Sequence, residues 1–258
     1  EIAKGCPAVA LGVAAHNGLC TGHILRFASE ELKQKYIPRL AKGETLGAWG
    51  LTEPGSGSDA SGMQTTAVLE GDHYILNGSK NFITHGNVGD IAVMMAATDR
   101  SAGNRGISAF VIDKSMEGFY ATKKENKLGM RCSDTASLVM DNVRIPKENL
   151  IGNEGEGFIQ ALQILDGGRI SIAALSLGLG EAALSHSLKY VKERKQFGKA
   201  LSEMQGIQFK LAKMSTEIEA SRALIYKAAW MRDNGMKMSI EASHAKLFAS
   251  EMCVRAAE

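Results

Sequence analysis

The sequence predicts an α+β multidomain protein in which a helical segment, a β domain and a second helical segment follow one another along the chain. Three observations carry this. Residues 1–47 are Ala-rich and then charged, with helix formers such as Glu30-Glu31-Leu32-Lys33-Gln34-Lys35-Tyr36. From 48 to 152 the pattern changes to short apolar runs separated by turn residues. From 153 to 258 a helical period returns and persists.

The first zone reads as two helices. Ser29 stands where an N-cap hydroxyl is needed, ahead of Glu30 and Glu31, and Pro38 marks where that helix should stop. In the second zone the strands are expected around Tyr74–Leu76, Ile91–Met95, Ile107–Ile112 and Ala136–Met140. Turns are expected at Gly71-Asp72, Asn77-Gly78, Gly89-Asp90 and Asp141-Asn142. No helix-length pattern interrupts these runs, which argues against βαβ units and a Rossmann sheet. In the third zone Ile207, Leu211, Met214, Ile218 and Ile225 form one apolar helix face, and residues near 158–193 and 239–257 read as further long helices. Antiparallel packing into a bundle buries such stripes, and a fourth helix to complete it is missing.

Composition removes several function classes. Lys plus Arg is 30 against 28 for Asp plus Glu, a formal charge of +2, so there is no electrostatic case for nucleic acid or an anionic membrane. Cysteines stand at 6, 20, 132 and 253 with no CxxC and no clustered His, which is neither a disulfide framework nor a zinc site and suits a reducing compartment. No metal is expected. No apolar run approaches the roughly 20 residues of a membrane helix. The chain starts without Met, and its last residues, Met252–Glu258, stop inside a helical pattern with no cap, so both ends read as cuts into a longer chain.

The most informative stretch is Gly50-Leu51-Thr52-Glu53-Pro54-Gly55-Ser56-Gly57-Ser58-Asp59-Ala60-Ser61-Gly62. On its residues alone it is a Gly/Ser loop entering the β domain, either a flexible linker or a set of backbone N–H groups open to an anion, with the Thr52 and Ser58 hydroxyls beside them. It lacks the Lys of a P-loop and the strand–helix setting of a dinucleotide fingerprint. Other stretches are Gly78-Ser79-Lys80-Asn81-Phe82-Ile83-Thr84, Lys127–Thr135, Asp166-Gly167-Gly168-Arg169 at the start of a long helix, and Glu193-Arg194-Lys195-Gln196-Phe197-Gly198-Lys199 followed by Gln205. Taken singly, Phe82 reads as a core strand residue and Cys132 as a buried small hydrophobe. Asp166 and Arg169 read as a surface pair, and Arg194 as a complement to a helix dipole.

Together these stretches are similar, over most of the chain, to the acyl-CoA dehydrogenases. The resemblance implies that family's fold: an N-terminal helical part, a middle antiparallel β domain and a C-terminal four-helix bundle, incomplete here. It implies FAD as cofactor, with Leu51 and Thr52 on the pyrimidine edge, Gly57 and Ser58 at the pyrophosphate, and Phe82, Ile83 and Thr84 against the ring. Many relatives carry Trp where Phe82 stands. Ser58, Asp166 and Arg169 would meet acyl-CoA. Arg194, Phe197 and Gln205 would reach the FAD of a neighbouring subunit, so a homo-oligomer, dimer or tetramer, is implied.

The implied reaction is α,β-dehydrogenation, in which a Glu removes the α-proton while the β-hydride passes to flavin N5. One family position for that Glu is occupied by Gly168, and the other lies beyond Glu258, so no catalytic residue is placed in residues 1–258, and this piece alone is expected to be inactive. An electron-transferring flavoprotein is the implied acceptor, a short acyl chain the implied substrate. The location implied is the cytoplasm in a bacterium or the mitochondrial matrix in a eukaryote. The alternatives are an oxidase or monooxygenase of the same fold, and a non-catalytic FAD- or CoA-binding homologue.

Overall fold

The N-terminal helix formers build α1 (Ile2–Gly5), α2 (Pro7–Ala14) and α3 (Gly22–Phe27), the last two joined without a break by a π-helical stretch over Ala15–Thr21. Next comes α4 (Glu30–Ala41), whose Ser29 Oγ accepts the Leu32 amide at 3.3 Å. Ser29→Ala should therefore cost about 1 kcal/mol, seen as a lower urea midpoint at unchanged slope. Pro38 does not end this helix as expected but lies inside it. Proline removes only its own N–H; its carbonyl still accepts Lys42 N at 3.2 Å, and buried Tyr36 and Leu40 hold the last turns against the core.

The computed structural model describes residues 1–258 and divides into two compact units, Gly12–Leu165 and Asp166–Glu258 with Glu1–Leu11. In the first, β1 (Gly47–Gly50), β2 (Thr66–Glu70), β3 (His73–Thr84), β4 (Ile91–Ala97), β5 (Ile107–Asp113), β6 (Phe119–Lys124), β7 (Thr135–Pro146) and β8 (Leu150–Ile151) form one sheet in the order β6-β7-β3-β2-β4-β5-β8. It is largely antiparallel, but β1 and β2 both run parallel to β4 along the same edge, Gly50 opposite Met94 and Thr66 opposite Ala97. The chain therefore leaves and rejoins that edge within three residues of β4, about 10 Å, and residues 51–65 loop out between. That return is what positions the site.

Every residue of β4 is buried, which explains its unbroken apolar run. Ile91, Val93 and Met95 pack with Ile24, Leu32, Tyr36 and Leu40 of the helices. Ala92, Met94 and Ala96 pack on the other face with Leu76, Phe110 and Ile112.

Two expected turns are not turns. Asn77-Gly78 lies inside β3 and Asp141-Asn142 inside β7, facing one another across a register shift between Leu76 and Gly78. Asn142 N donates to Asn77 Oδ1 at 2.9 Å. Turn residues and bulge residues share a need for positive φ, here +149° at Gly78 and +52° at Asn142, so local sequence does not separate them. At Gly78 an added Cβ would lie 2.4 Å from Thr65 Oγ1, which reserves the position for glycine.

In the second unit α5 (Gly157–Glu193, from Asp166 onward), α6 (Gln205–Asp233) and α7 (Ser239–Ala257) share an Ala-rich core. Ala242, Ala245, Ala249, Met252 and Ala256 of α7 meet Ile218, Ile225 and Ala228 of α6 and Ala173 of α5. Of the expected stripe, Ile218 and Ile225 are buried, whereas Ile207 and Leu211 line a cavity of about 510 Å³. Between α5 and α6 runs a hairpin that was not expected, β9 (Lys195–Gln196) and β10 (Lys199–Ala200), turning at Phe197 and Gly198 with φ of +53° and +76°.

Contrary to the sequence expectation, Pro7–Phe27 and Gly157–Glu193 are each long and apolar enough, by length and composition, to cross a membrane. Their hydropathy is spread over Ala and Gly rather than carried by a run of large side chains. Both helices supply core residues, among them Ile24 and Ala173.

Candidate functional site

Leu51 and Thr52 leave β1 at the mouth of the loop and are half-buried. The Thr52 carbonyl accepts Asn81 N at 2.8 Å, which ties the loop to β3 just before Phe82. Glu53 and Ser56 exchange backbone hydrogen bonds of 2.9 and 3.2 Å around Pro54-Gly55, and Ser56 Oγ donates to Asp59 O at 2.5 Å. Thr-Glu-Pro-Gly-Ser is thus an ordered turn, and the linker reading fails. Beyond it Gly57 and Ser58 are exposed, and the amides of Gly55, Gly57 and Ser58 make no hydrogen bond within the protein.

Phe82 is not the core strand residue its local pattern suggests. A second register shift, between Lys80 and Ile83, places it on a bulge with φ of +59°, and its side chain is 65% exposed. Ile83 is buried and Thr84 half-buried at the end of β3. The structure therefore brings Leu51, Thr52, Phe82, Ile83 and Thr84 to one region of the sheet, held by the Thr52–Asn81 contact. Just beyond, Asp134 Oδ2 accepts the amides of Asn87 and Val88 at 2.8 and 3.1 Å, and its backbone carbonyl accepts His85 N at 3.0 Å. Cys132, expected to be buried, is exposed. It lies in a loop with Leu128, whose surface is fully open.

The residues that sequence reasoning missed lie beneath this surface. Lys80 Nζ, fully buried, meets Glu53 Oε1 at 2.7 Å and donates to Leu51 O at 3.2 Å. The same carboxylate accepts Gln64 N at 2.5 Å and Thr65 N at 3.1 Å. Burial acts to raise the Glu53 carboxyl, but the Lys80 ammonium and the amide donors outweigh it and hold it below the usual range. Nearby, Trp49 Nε1 donates to His23 Nδ1 at 3.0 Å, which leaves the His23 proton on Nε2, facing Gln160 Oε1 at 3.0 Å. Burial draws His23 down to about 4, with the Gln160 hydrogen bond opposing. The sequence signal was slight: Glu53 and Lys80 are charged residues inside otherwise explained motifs, and His23, Trp49 and Gln160 lie outside every motif.

The remaining candidates belong to the second unit. Asp166 and Arg169 form an ion pair, and Asp166 Oδ2 also accepts Ser239 Oγ of α7 at 2.5 Å. They sit in the third and fourth turns of α5 and not at its start. An added Cβ on Gly167 would lie 3.3 Å from Arg232 Nη1, the tip of a flexible side chain that can shift, so this contact does not reserve the position for glycine. Arg194 and Phe197 are exposed on the hairpin, Phe197 by 93%, and Gln205 opens α6.

The donor set around residues 51–58 and 82–84 fits a flavin nucleotide. Unpaired amides and the Ser58 hydroxyl suit a pyrophosphate, and an exposed aromatic face and a Thr hydroxyl suit a polar ring system. No group of three or more His, Cys, Asp or Glu side chains comes together in a way that could hold a metal ion.

Comparison with known proteins points the same way. The acyl-CoA dehydrogenase N-terminal, middle and C-terminal domains match residues 1–44, 48–143 and 155–258. The chain belongs to the acyl-CoA dehydrogenase family, a family of flavoprotein oxidoreductases. It is 48% identical over 254 residues to the short-chain-specific acyl-CoA dehydrogenase of Clostridium acetobutylicum, covering 98% of this chain and 67% of the relative. It is 44% identical over 253 residues to CarC, a subunit of the caffeyl-CoA reductase–Etf complex of Acetobacterium woodii, covering 98% and 67%. The structure of butyryl-CoA dehydrogenase from Megasphaera elsdenii superimposes with a TM-score of 0.98 at 47% identity, covering 99% of this chain and 67% of that one. The chain thus spans about two thirds of the length of these relatives.

Proposed function

We propose that this chain forms the flavin- and substrate-binding part of an enzyme that desaturates a short acyl-CoA thioester to its trans-2-enoyl form. The observation that carries the reading is the ordered Thr52–Ser58 turn, tied to the Phe82 bulge through Thr52 O and Asn81 N. Bound FAD would supply the hydride acceptor. Leu51 and Thr52 hold its pyrimidine edge, the Gly57 and Ser58 amides take the pyrophosphate, and Phe82, Ile83 and Thr84 lie against the ring. Ser58, Asp166 and Arg169 contact acyl-CoA.

The α-proton needs a carboxylate base. Glu53 is committed to Lys80, Asp166 to Arg169 and Ser239, and Gly168 has no side chain. As the family resemblance implies, the base is proposed to lie outside residues 1–258, and these residues alone are expected to yield no enoyl-CoA; product from them would reject that assignment. An electron-transferring flavoprotein is the proposed acceptor, supported by the Etf complex to which the Acetobacterium woodii relative belongs. The cytoplasm of a bacterium or the mitochondrial matrix is the proposed setting.

Arg194, Phe197 and Gln205 are assigned to the flavin of a second copy in a homo-oligomer. Because nothing in its own chain covers Phe197, Phe197→Ala should leave the unfolding free energy of the subunit within about 0.5 kcal/mol of the parent while weakening both oligomer and flavin retention. Light scattering and flavin content measure this; an unchanged oligomer that keeps its flavin would contradict it.

The overall reading is tested on the full-length protein with a series of acyl-CoA substrates. Butyryl-CoA should bleach the visible flavin band, and an electron-transferring flavoprotein should restore it. Failure of every acyl-CoA to bleach it rejects the reading, and rapid restoration by dioxygen alone would indicate an oxidase.

A further inference from the structure

We propose that the buried Glu53–Lys80 pair is a positioning device that sets the flavin-facing turn at residues 51–58 against the Phe82 bulge. The inference rests on the flavin reading above. The loop leaves β4's edge at Gly50 and returns at Thr66, and all of the pair's contacts fall on the two ends of that loop and on β3. Lys80 takes Leu51 O on the outgoing side; Glu53 takes the amides of Gln64 and Thr65 on the returning side. Met63, buried in the helix-facing core, anchors the return as well.

β3 passes this point unpaired by β2, whose first partner is Asn77 opposite Thr66. Residues 78–84 of that edge therefore meet the loop instead of a strand, and Lys80 stands two residues before Phe82. Without the pair, the Thr52–Asn81 hydrogen bond is the one backbone tie between turn and bulge.

Stability alone is a weak reason for such a pair. A buried ion pair is often no better than well-packed apolar residues of the same volume, because desolvation offsets the attraction. What apolar substitutes would not supply is the simultaneous grip on a carbonyl at one end of the loop and two amides at the other. Glu53 and Lys80 are both buried and act through Leu51, Thr52 and Phe82.

The test is a flavin titration of the full-length protein stripped of its cofactor, comparing parent, Lys80→Met, Glu53→Gln and the charge-free double variant Glu53→Gln/Lys80→Met. Far-UV circular dichroism and thermal unfolding are recorded alongside. FAD should bind the double variant about tenfold more weakly or worse, with an altered visible circular dichroism of the bound flavin, although the variant is folded at the titration temperature. The single variants should show the same spectral change. A folded double variant with parental affinity and spectrum overturns the inference and leaves the flavin reading intact. A double variant that does not fold also overturns it, because the pair is then a requirement of the fold. If the parent itself takes up no FAD, the flavin reading falls and the inference with it.

Discussion

Lys80→Met is expected to lower the unfolding free energy by about 3–5 kcal/mol, measured by urea denaturation at neutral pH. Methionine fills much of the lysine's volume, so a cavity contributes little. The cost comes from Glu53, whose carboxylate stays buried with the Gln64 and Thr65 amides and no cation. The double variant Glu53→Gln/Lys80→Met removes that unpaired charge and should recover most of the loss. Equal destabilisation in single and double variants would mean that packing, not charge, sets the effect.

A second large effect is expected from His23. Its ordinary value is 6.5, and burial in the folded protein draws it to about 4. Above pH 6.5 the ring is neutral in both states and costs nothing. Between 6.5 and about 4 the unfolded chain takes up a proton that the folded one refuses, so stability falls as pH falls, and below about 4 the loss is complete. The span corresponds to about 3 kcal/mol. Comparing parent with His23→Gln at pH 7 and pH 4 cancels the carboxylates common to both. The parent should lose about that much more than the variant, and parallel pH profiles would contradict the Trp49–His23–Gln160 arrangement.

The proposed flavin site was legible in the sequence where its contacts are local. Gly55, Gly57 and Ser58 offer backbone amides whatever the rest of the fold does, so the motif carries its own chemistry. Lys80 and Glu53 are 27 residues apart, and a charged side chain in a single sequence reads by default as solvated. Only the return of the loop to one edge of β4 brings them together. The turn residues at Asn77-Gly78 and Asp141-Asn142 were misread for a related reason, since a bulge inside a long strand uses the same positive-φ chemistry as a turn between two short ones. Pro38 was misread because buried Tyr36 and Leu40 outweigh one lost hydrogen bond. Phe82 shows the opposite limit: its strand context predicted burial, and the Lys80–Ile83 register shift turned it outward.

Residues 51–58 and 82–84 are proposed to form one flavin-binding surface. Hydrogen–deuterium exchange of the full-length protein, with and without FAD, tests it most directly. The amides of Gly55, Gly57 and Ser58, unpaired within the chain, should exchange quickly without FAD and become protected with it, together with those around Phe82 to Thr84. Flavin binding that leaves both segments unprotected would contradict the account.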